Sequence, residues 1–226
     1  MDIKNNINRY KAEVETAGCR LIAVSKTQPT TAIAEAYQAG QRLFGENKAQ
    51  EMAAKQKELA PDIEWHMIGH LQTNKVKYIA PFVSLIHSVD SARLLEEINR
   101  QALKNKRSIP CLLQVHIARE ATKFGWDAQE LKTFLHTDLP HQFPAVTIIG
   151  LMGMATLTDN EDQIESEFRT LKNLFMELQH SELPANVSMK ELSMGMSSDY
   201  KLALKAGSTL VRIGTSIFGA RQSPNH

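Results

Sequence analysis

Cysteine is scarce in this chain: Cys19 and Cys111 are the only two among 226 residues, and they lie far apart in the sequence. Two distant cysteines provide neither the close spacing of a metal-binding pair nor the several pairs of a disulfide framework. Cys111 also stands inside the apolar run 109–113. We therefore expect two buried, unreactive thiols.

The chain also lacks an excess of charge of either sign and a long hydrophobic run. The 26 lysines and arginines balance 25 acidic residues, so the formal net charge of +1 provides no general attraction to nucleic acid or to an anionic membrane. No stretch approaches the roughly 18 consecutive apolar residues of a membrane span, and residues 1–6 lack the apolar core of a signal peptide. We expect a cytoplasmic protein with no nucleic-acid or membrane partner, in which any anion site is local.

The remaining composition is that of an ordinary globular protein. Hydrophobic residues make up 42% of the chain and charged residues 23%, which argues against disorder and against a fibrous architecture. The length suits one sizeable core and is short for two independent domains. We expect a single domain over residues 1–226, and a monomer.

Short apolar runs alternate with amphipathic stretches along the whole sequence, a pattern typical of βα repetition. A leading helix is predicted first, because four apolar residues recur along one of its faces: Ile3, Ile7, Tyr10 and Val14. Eight strands are predicted near residues 20–25, 42–45, 64–68, 84–88, 111–117, 146–151, 190–193 and 210–213. Eight parallel strands alternating with helices predict an α/β fold of the TIM-type (β/α)8 barrel class, with a doubly wound open sheet as the alternative.

A lysine stands at the exit of the first predicted strand: Lys26 ends the run 21–26 and precedes a turn. In such barrels the site lies at the C-terminal strand ends, and phosphate is commonly held after strands seven and eight. Turns rich in glycine and hydroxyl residues fall there, and we choose Ser197, Gly214 and Thr215 as phosphate contacts. An amine beside a phosphate site suggests pyridoxal phosphate. Taken singly, Lys26 would be a surface lysine, and Ser197 or its neighbour the N-cap of a helix.

Two further residues are candidates for the same site. Arg212 lies in an apolar strand, where a buried guanidinium needs a partner, either a ligand or a core carboxylate. Facing a pyridine nitrogen, it would keep that nitrogen unprotonated and weaken the ring as an electron sink; facing the phosphate is the other orientation. Asn47 follows strand two as a neutral donor and acceptor. His66 and His70 have a metal-like spacing, but no HExxH helix or cysteine accompanies them, so we predict no metal.

Several segments, taken together, resemble the pyridoxal phosphate homeostasis protein family. They cover nearly the entire chain and comprise AVSK at 23–26, FGEN at 44–47, WHMIGHLQTNK at 65–75, LSMGMS at 192–197, GSTLVRIGT at 207–215 and FGAR at 218–221. Two departures are small: Thr122 stands where serine is common, and His70 occupies a variable position. Neither departure touches the lysine or the phosphate motifs.

The resemblance implies a barrel like the N-terminal domain of alanine racemase, the fold type III of pyridoxal phosphate proteins, with the cofactor bound as an imine to Lys26. It implies a carrier that holds pyridoxal phosphate in protected form and influences its supply to apoenzymes. No catalysed reaction is established for the family, so we expect a protein that is not an enzyme.

Two alternatives remain. An amino-acid racemase needs a base on each face of its ligand, and in the resembling racemases the second base is a tyrosine from an additional β-domain. Tyr200 and the other tyrosines carry no matching motif, and we expect Arg212 to disfavour carbanion chemistry. A protein-interaction module that has lost its cofactor would be expected to lack the lysine or the phosphate turns, and both are present.

Overall fold

The computed structural model describes residues 2–119 and 124–219, and these residues form a closed barrel of eight parallel strands in sequence order. The strands are β1 (Arg20–Val24), β2 (Leu43–Glu46), β3 (Glu64–Met67), β4 (Leu85–Val89), β5 (Ile109–Gln114), β6 (Val146–Met152), β7 (Val187–Met196) and β8 (Leu210–Ile213). β1 pairs with both β2 and β8, which closes the barrel. The predicted (β/α)8 barrel is confirmed, and the open sheet is excluded. The single-domain boundaries stay a prediction.

Helices precede β1 and connect or follow the strands. They are α1 (Ile3–Thr16), α2 (Thr30–Gln38), α3 (Ala49–Glu58), α4 (Val76–Ile79), α5 (Ala92–Lys104), α6 (Ala128–Leu135), α7 (Leu139–Gln142), α8 (Glu161–Gln179), α9 (Tyr200–Lys205) and α10 (Thr215–Phe218), and a 3-10 turn (Thr73–Lys75) leads into α4. The predicted leading helix is confirmed as α1. Its four apolar positions are all buried, it packs on β1, α2 and α10, and Asp2 caps it by accepting a hydrogen bond from the Asn5 amide at 2.9 Å.

Two strands differ from their predicted ranges by more than one residue at an end. β5 begins at Ile109, before Pro110, and ends at Gln114 instead of residue 117, and Val115 beyond its end forms an isolated bridge with Trp126 while its amide still donates to the Met152 carbonyl of β6 at 2.8 Å. β7 begins at Val187 and runs to Met196, and its pairing with β6 and β8 shifts register along the way. A strand with such irregularities lacks the clean alternation that marks its length in a sequence.

The barrel interior holds two groups of buried side chains. One, which we call the apolar layer, consists of Ile22, Leu85, Leu112, Met152 and Leu210, and it is separate from the larger core between strands and helices. The other, the polar layer, consists of His66, His87, Ser193 and Arg212, all at most 4% exposed. Successive residues of a strand face opposite sides, so Leu85 and His87, like Leu210 and Arg212, share the inner face. On β4 and β8 the inner face therefore changes from apolar to polar toward the C-terminal strand ends.

The two cysteines are free and buried, as predicted. Burial raises the pKa of Cys19 to about 11 and raises the pKa of Cys111 as well, so both thiols stay protonated and unreactive at neutral pH. Within the described residues, no helix combines the length and apolar character needed to cross a bilayer.

Candidate functional site

Lys26 lies two residues beyond the last residue of β1, half-buried in a tight turn. The turn is closed by the Gln28 amide, which donates to the Ser25 carbonyl at 3.0 Å, and Ser25 itself is tied to β2 through the Gly45 carbonyl at 3.0 Å. Thr27 has φ +65°, a left-handed conformation that branched residues rarely adopt. The amine thus stands at the C-terminal end of β1, where sequence reasoning placed it.

A buried charge cluster lies directly beneath this turn. Lys55 of α3 donates hydrogen bonds to Glu46 at 2.8 Å and to Glu51 at 2.7 Å, and Ser25 donates to the same Glu46 oxygen at 2.6 Å. Burial raises the pKa of Glu46, and the Lys55 ammonium partly opposes that rise. The second oxygen of Glu46 is buried without a hydrogen-bond partner among the described residues. Sequence reasoning missed Lys55 and Glu51 entirely.

The ends of β7 and β8 meet beside β1. The Gly214 amide donates to the Ser197 hydroxyl at 3.2 Å, so two of the predicted phosphate contacts touch each other. A Cβ on Gly214 would lie 3.0 Å from both the Cβ and the carbonyl oxygen of Val24, which leaves room only for glycine without displacement. Thr215 is the exposed first residue of α10. Because Val24 precedes Lys26 by two residues, this turn and the lysine are neighbours.

The helix-capping alternative for Ser197 is wrong. α9 begins at Tyr200, and the residue at its N-cap is Asp199. The Asp199 carboxylate accepts a hydrogen bond from the Met196 amide at 2.5 Å, and burial raises its pKa. The Ser197 side chain is directed instead to the end of β8.

Arg212 is 4% exposed and has two neutral partners. Its guanidinium donates to the Ser193 hydroxyl at 2.5 Å and to the Gly153 carbonyl at 3.1 Å. Burial lowers its pKa to about 10, with Asp199 acting in the opposite direction at longer range, so the side chain is still a cation at neutral pH. No carboxylate within residues 2–119 and 124–219 is in direct contact with it, which favours the ligand alternative over the core carboxylate.

A chain of hydrogen bonds leads from Arg212 across the barrel. His87 Nδ1 lies 2.9 Å from the Ser193 hydroxyl, and His87 Nε2 lies 3.0 Å from His66 Nδ1. Burial lowers the pKa of His66 to about 3 and the pKa of His87 well below 6.5, so both imidazoles are neutral. Sequence reasoning missed His87 and Ser193. The available signal was a histidine alternating with leucine in an otherwise apolar strand.

The suspected metal pair is split between two places. His66 lies inside the barrel, whereas His70 is exposed, with Nδ1 3.2 Å from an Asp90 oxygen and its ring 5.0 Å from that of Phe124. Among the residues that the structure describes, no group of three or more His, Cys, Asp or Glu side chains is arranged to hold a metal ion. Thr122 and Arg221, which belong to the recognised motifs, lie outside the described residues.

Asn47 follows β2 at the same end of the barrel. Its side-chain oxygen is buried without a hydrogen-bond partner among the described residues, and Gly69 packs so closely that an added Cβ would lie 2.6 Å from the Asn47 Cβ. It lines a cleft of about 280 Å³ together with Glu51 and Lys75. A larger cleft of about 520 Å³ lies elsewhere, beside Trp126 and other residues that include two acids and no cation, so it is unsuited to an anion.

Comparisons with known proteins agree with this architecture. The family model for the N-terminal domain of alanine racemase matches residues 1–222. The pyridoxal phosphate homeostasis protein of Aquifex aeolicus is 40% identical over 222 residues, which cover 96% of this chain and 95% of that protein. The chain belongs to the pyridoxal phosphate homeostasis protein family. The homologue of that name from Haemophilus influenzae is 39% identical, with 98% and 97% of the two chains covered.

Solved structures support both the family and the fold. PipY of Synechococcus elongatus PCC7942 is 40% identical and covers 96% of this chain and 100% of PipY, with TM-scores of 0.87 without and 0.85 with bound pyridoxal phosphate. Alanine racemase of Bartonella henselae is 19% identical, has a TM-score of 0.71, and matches this chain over 62% of its own length. The racemase likeness shows the fold alone. The recognised family and its racemase-like barrel are thus confirmed.

Proposed function

We propose that this protein binds pyridoxal phosphate covalently through Lys26 and serves intracellular pyridoxal phosphate homeostasis by influencing cofactor supply to apoenzymes. The observation that carries the proposal is the contact between the ends of β1 and β8, which brings the lysine beside the Gly214 turn. Support comes from PipY, a 40% identical protein whose structure has been solved with pyridoxal phosphate bound. The cofactor supplies an aldehyde that reacts with a primary amine.

The residues at the mouth of the barrel fit this cofactor. The close approach of Gly214 to Val24 and the Ser197 hydroxyl beside it suit a phosphate, because backbone amides free of bulky side chains reach an anion closely. Thr215 adds a hydroxyl at the start of α10. Asn47 offers a buried, unpartnered oxygen on the other side of Lys26.

Arg212 sets the character of the proposed site. As a cation held by Ser193 and Gly153, it can donate a hydrogen bond but cannot accept a proton. If it faced the pyridine nitrogen, it would keep that nitrogen unprotonated and would weaken the ring as the electron sink that carbanion chemistry needs. This favours a carrier without a catalysed reaction of its own.

Tyr200 is not placed to serve as the second base of a racemase. Its hydroxyl lies 3.0 Å from both oxygens of Glu13 on α1, and its ring packs against Tyr10 with centroids 5.6 Å apart. Burial, with the Glu13 hydrogen bond, raises its pKa to about 12. We therefore do not propose the racemase alternative. In our proposal the protein is a cytoplasmic monomer whose partners are the cofactor and pyridoxal phosphate-dependent apoenzymes, with no nucleic acid or membrane partner.

The test is the visible spectrum of the purified protein before and after borohydride, followed by peptide mass mapping. We expect a yellow protein that bleaches and carries a reduced pyridoxyl group on Lys26. Lys26→Ala should lose both the colour and the adduct, whereas Lys57→Ala, which removes an exposed lysine of α3, should keep them. Absence of colour and adduct after incubation with pyridoxal phosphate would overturn the cofactor site.

A second assay tests the homeostasis role. The loaded protein, an equal amount of free pyridoxal phosphate, and Lys26→Ala preincubated with cofactor are each mixed with a pyridoxal phosphate-dependent apoenzyme. We expect the loaded protein to change the rate of reactivation relative to free cofactor, and Lys26→Ala to match free cofactor. Rapid racemisation of amino acids by the loaded protein would contradict the carrier assignment.

A further inference from the structure

The buried Lys55 ammonium is bound on every side. It is 8% exposed in its side chain and has three donors, which reach the Ser25 carbonyl at 2.8 Å, Glu46 at 2.8 Å and Glu51 at 2.7 Å. Glu51 and Lys55 are one helical turn apart on α3, so they lie on the same face of that helix. Because all three donors of this buried ammonium are used, it restricts the positions of its three partners.

Lys55 and Glu51 form hydrogen bonds with the backbone on either side of Lys26. The Ser25 carbonyl, held by Lys55, belongs to the peptide group before Lys26. The Thr27 amide, which donates to Glu51 at 2.6 Å, belongs to the peptide group after it. Because peptide groups are planar, the two planes that flank a Cα define its φ and ψ. Lys55 and Glu51 thus close a ring of hydrogen bonds around the backbone of Lys26.

The backbone that directly follows this ring is unfavourable by itself. Thr27 has φ +65°, and branched side chains clash in that left-handed region. Such a conformation persists only where the surroundings over-determine it, and these sites cluster where a protein positions a reactive group. The cluster also leaves one Glu46 oxygen buried with no hydrogen-bond partner in the part of the chain that the structure describes, which is a poor arrangement for stability alone.

We propose that Glu51 and Lys55 are positioning residues for Lys26: they fix the two peptide groups that flank it and thereby hold its amine in place for the cofactor. This inference rests on the proposed covalent role of Lys26. It predicts that the two residues act on the rate of covalent capture rather than on the affinity for the cofactor's phosphate and ring.

Glu51→Met is the principal variant, because it removes both the acceptor for the Thr27 amide and a partner of Lys55. Glu51→Gln is the conservative variant, since its side-chain oxygen still accepts from that amide. Glu191→Met is the matched control. Glu191 is a similarly buried glutamate, paired with Arg20 at 2.5 Å at the opposite end of the barrel. Lys55→Met would confirm the ring, but it leaves Glu46 without its cation and risks misfolding.

Three quantities are measured for each variant: the rate of covalent capture of pyridoxal phosphate, its noncovalent dissociation constant in the Lys26→Ala background, and amide hydrogen exchange at Thr27 without cofactor. For Glu51→Met we expect capture about tenfold slower, an unchanged noncovalent dissociation constant, and faster exchange at Thr27. Glu51→Gln should stay within about threefold of the parent, since it keeps the hydrogen bond. Glu191→Met should match the parent in all three.

Either of two results would overturn positioning. Capture at the parental rate in Glu51→Met would show that the Lys26 amine does not depend on Glu51 for its position. An equal loss of capture rate and of noncovalent affinity would show general damage to the barrel mouth. A parent that captured no cofactor would instead refute the proposed function. Thr27 exchange that was slow in the parent and fast in Glu51→Met would still support the clamp on the backbone.

Discussion

The apolar and polar layers of the barrel interior differ sharply in chemistry although β4 and β8 contribute to both. On β4 the inner face has Leu85 and then His87, and on β8 it has Leu210 and then Arg212. The apolar layer gains free energy from burial, whereas buried polar groups must be compensated by hydrogen bonds to one another. The polar layer, which lies nearer the mouth, therefore indicates where the chain has accepted a cost for the sake of a ligand.

The polar layer limits that cost by connecting its members. Arg212, Ser193, His87 and His66 form one continuous chain of hydrogen bonds, and both histidines are neutral. Arg212 is consequently the one formal charge of this layer. A connected network of this kind also fixes side-chain orientation, which matters more for a binding group than for a core residue.

The largest effect on stability should come from the apolar layer. Leu210→Ala removes a fully buried side chain and leaves a cavity, so we expect the free energy of unfolding to fall by about 2–5 kcal/mol. Urea denaturation measures this loss. At urea concentrations below the unfolding transition, cofactor capture should match that of the parent, because Leu210 belongs to the apolar layer and lies at the start of β8, away from the mouth of the barrel. A loss of capture without a loss of stability would break the distinction between the layers.

Arg212→Met tests the polar layer, for which we expect the opposite result: little change in stability and a loss of cofactor affinity. Replacing a buried charged group by an apolar one of similar size is often neutral for stability, so we expect little change in urea denaturation. Removing a charge-assisted hydrogen bond to the cofactor should cost about 1.5–3 kcal/mol of binding, or roughly 10- to 150-fold in the dissociation constant. Unchanged affinity with strong destabilisation would make Arg212 a structural residue.

The pH dependence of stability comes next in size. The pKa of His66, about 3, and that of His87 both lie below the unfolded value of 6.5, so the unfolded state binds more protons as the pH falls below 6.5. The free energy of unfolding should then fall by about 1.4 kcal/mol per pH unit for each histidine. Glu46, with its raised pKa, opposes this trend because the folded state binds its proton more tightly.

The His87→Gln variant isolates the histidine contribution, because Glu46 is common to both proteins. We expect its stability to depend on pH between 6.5 and 5 less steeply than that of the parent, by about 1 kcal/mol per unit. Urea midpoints across that range provide the measurement. His136→Gln, which changes an exposed histidine after α6, is the control variant. Equal slopes in His87→Gln and the parent would show that His87 binds its proton equally well in the folded and unfolded states.

The barrel and Lys26 could be predicted from the sequence because the signals for both lie between neighbouring residues. Strands with short apolar runs, and a lysine between such a run and a proline turn, are readable from neighbours in the chain. Arg212 could be selected from its apolar strand, but its contacts in the polar layer could not be predicted because they form only on barrel closure: His87 and Ser193 are 106 residues apart. The proposed positioning residues of Lys26 were missed for a different reason. Lys55 and Glu51 read as an ordinary charged helix surface, and only the docking of α3 beneath β1 buries them.

The smallest predicted effect concerns the edge of the proposed phosphate site. The hydroxyl of Ser197 accepts one hydrogen bond, at 3.2 Å, from the Gly214 amide. Ser197→Ala should therefore cost about 0.5–1 kcal/mol of stability in the cofactor-free protein.

With cofactor the loss should be larger, because the same hydroxyl would also meet the phosphate, and affinity should fall about threefold to tenfold. Thermal unfolding with and without pyridoxal phosphate separates the two contributions, and Ser198→Ala, at an exposed neighbour, is the control. An equal shift in both states would assign Ser197 to the fold and leave the phosphate to the backbone amides. A lower unfolding temperature only in the loaded protein would show that Ser197, at the rim of the barrel, contributes to cofactor binding as we expect of the polar layer.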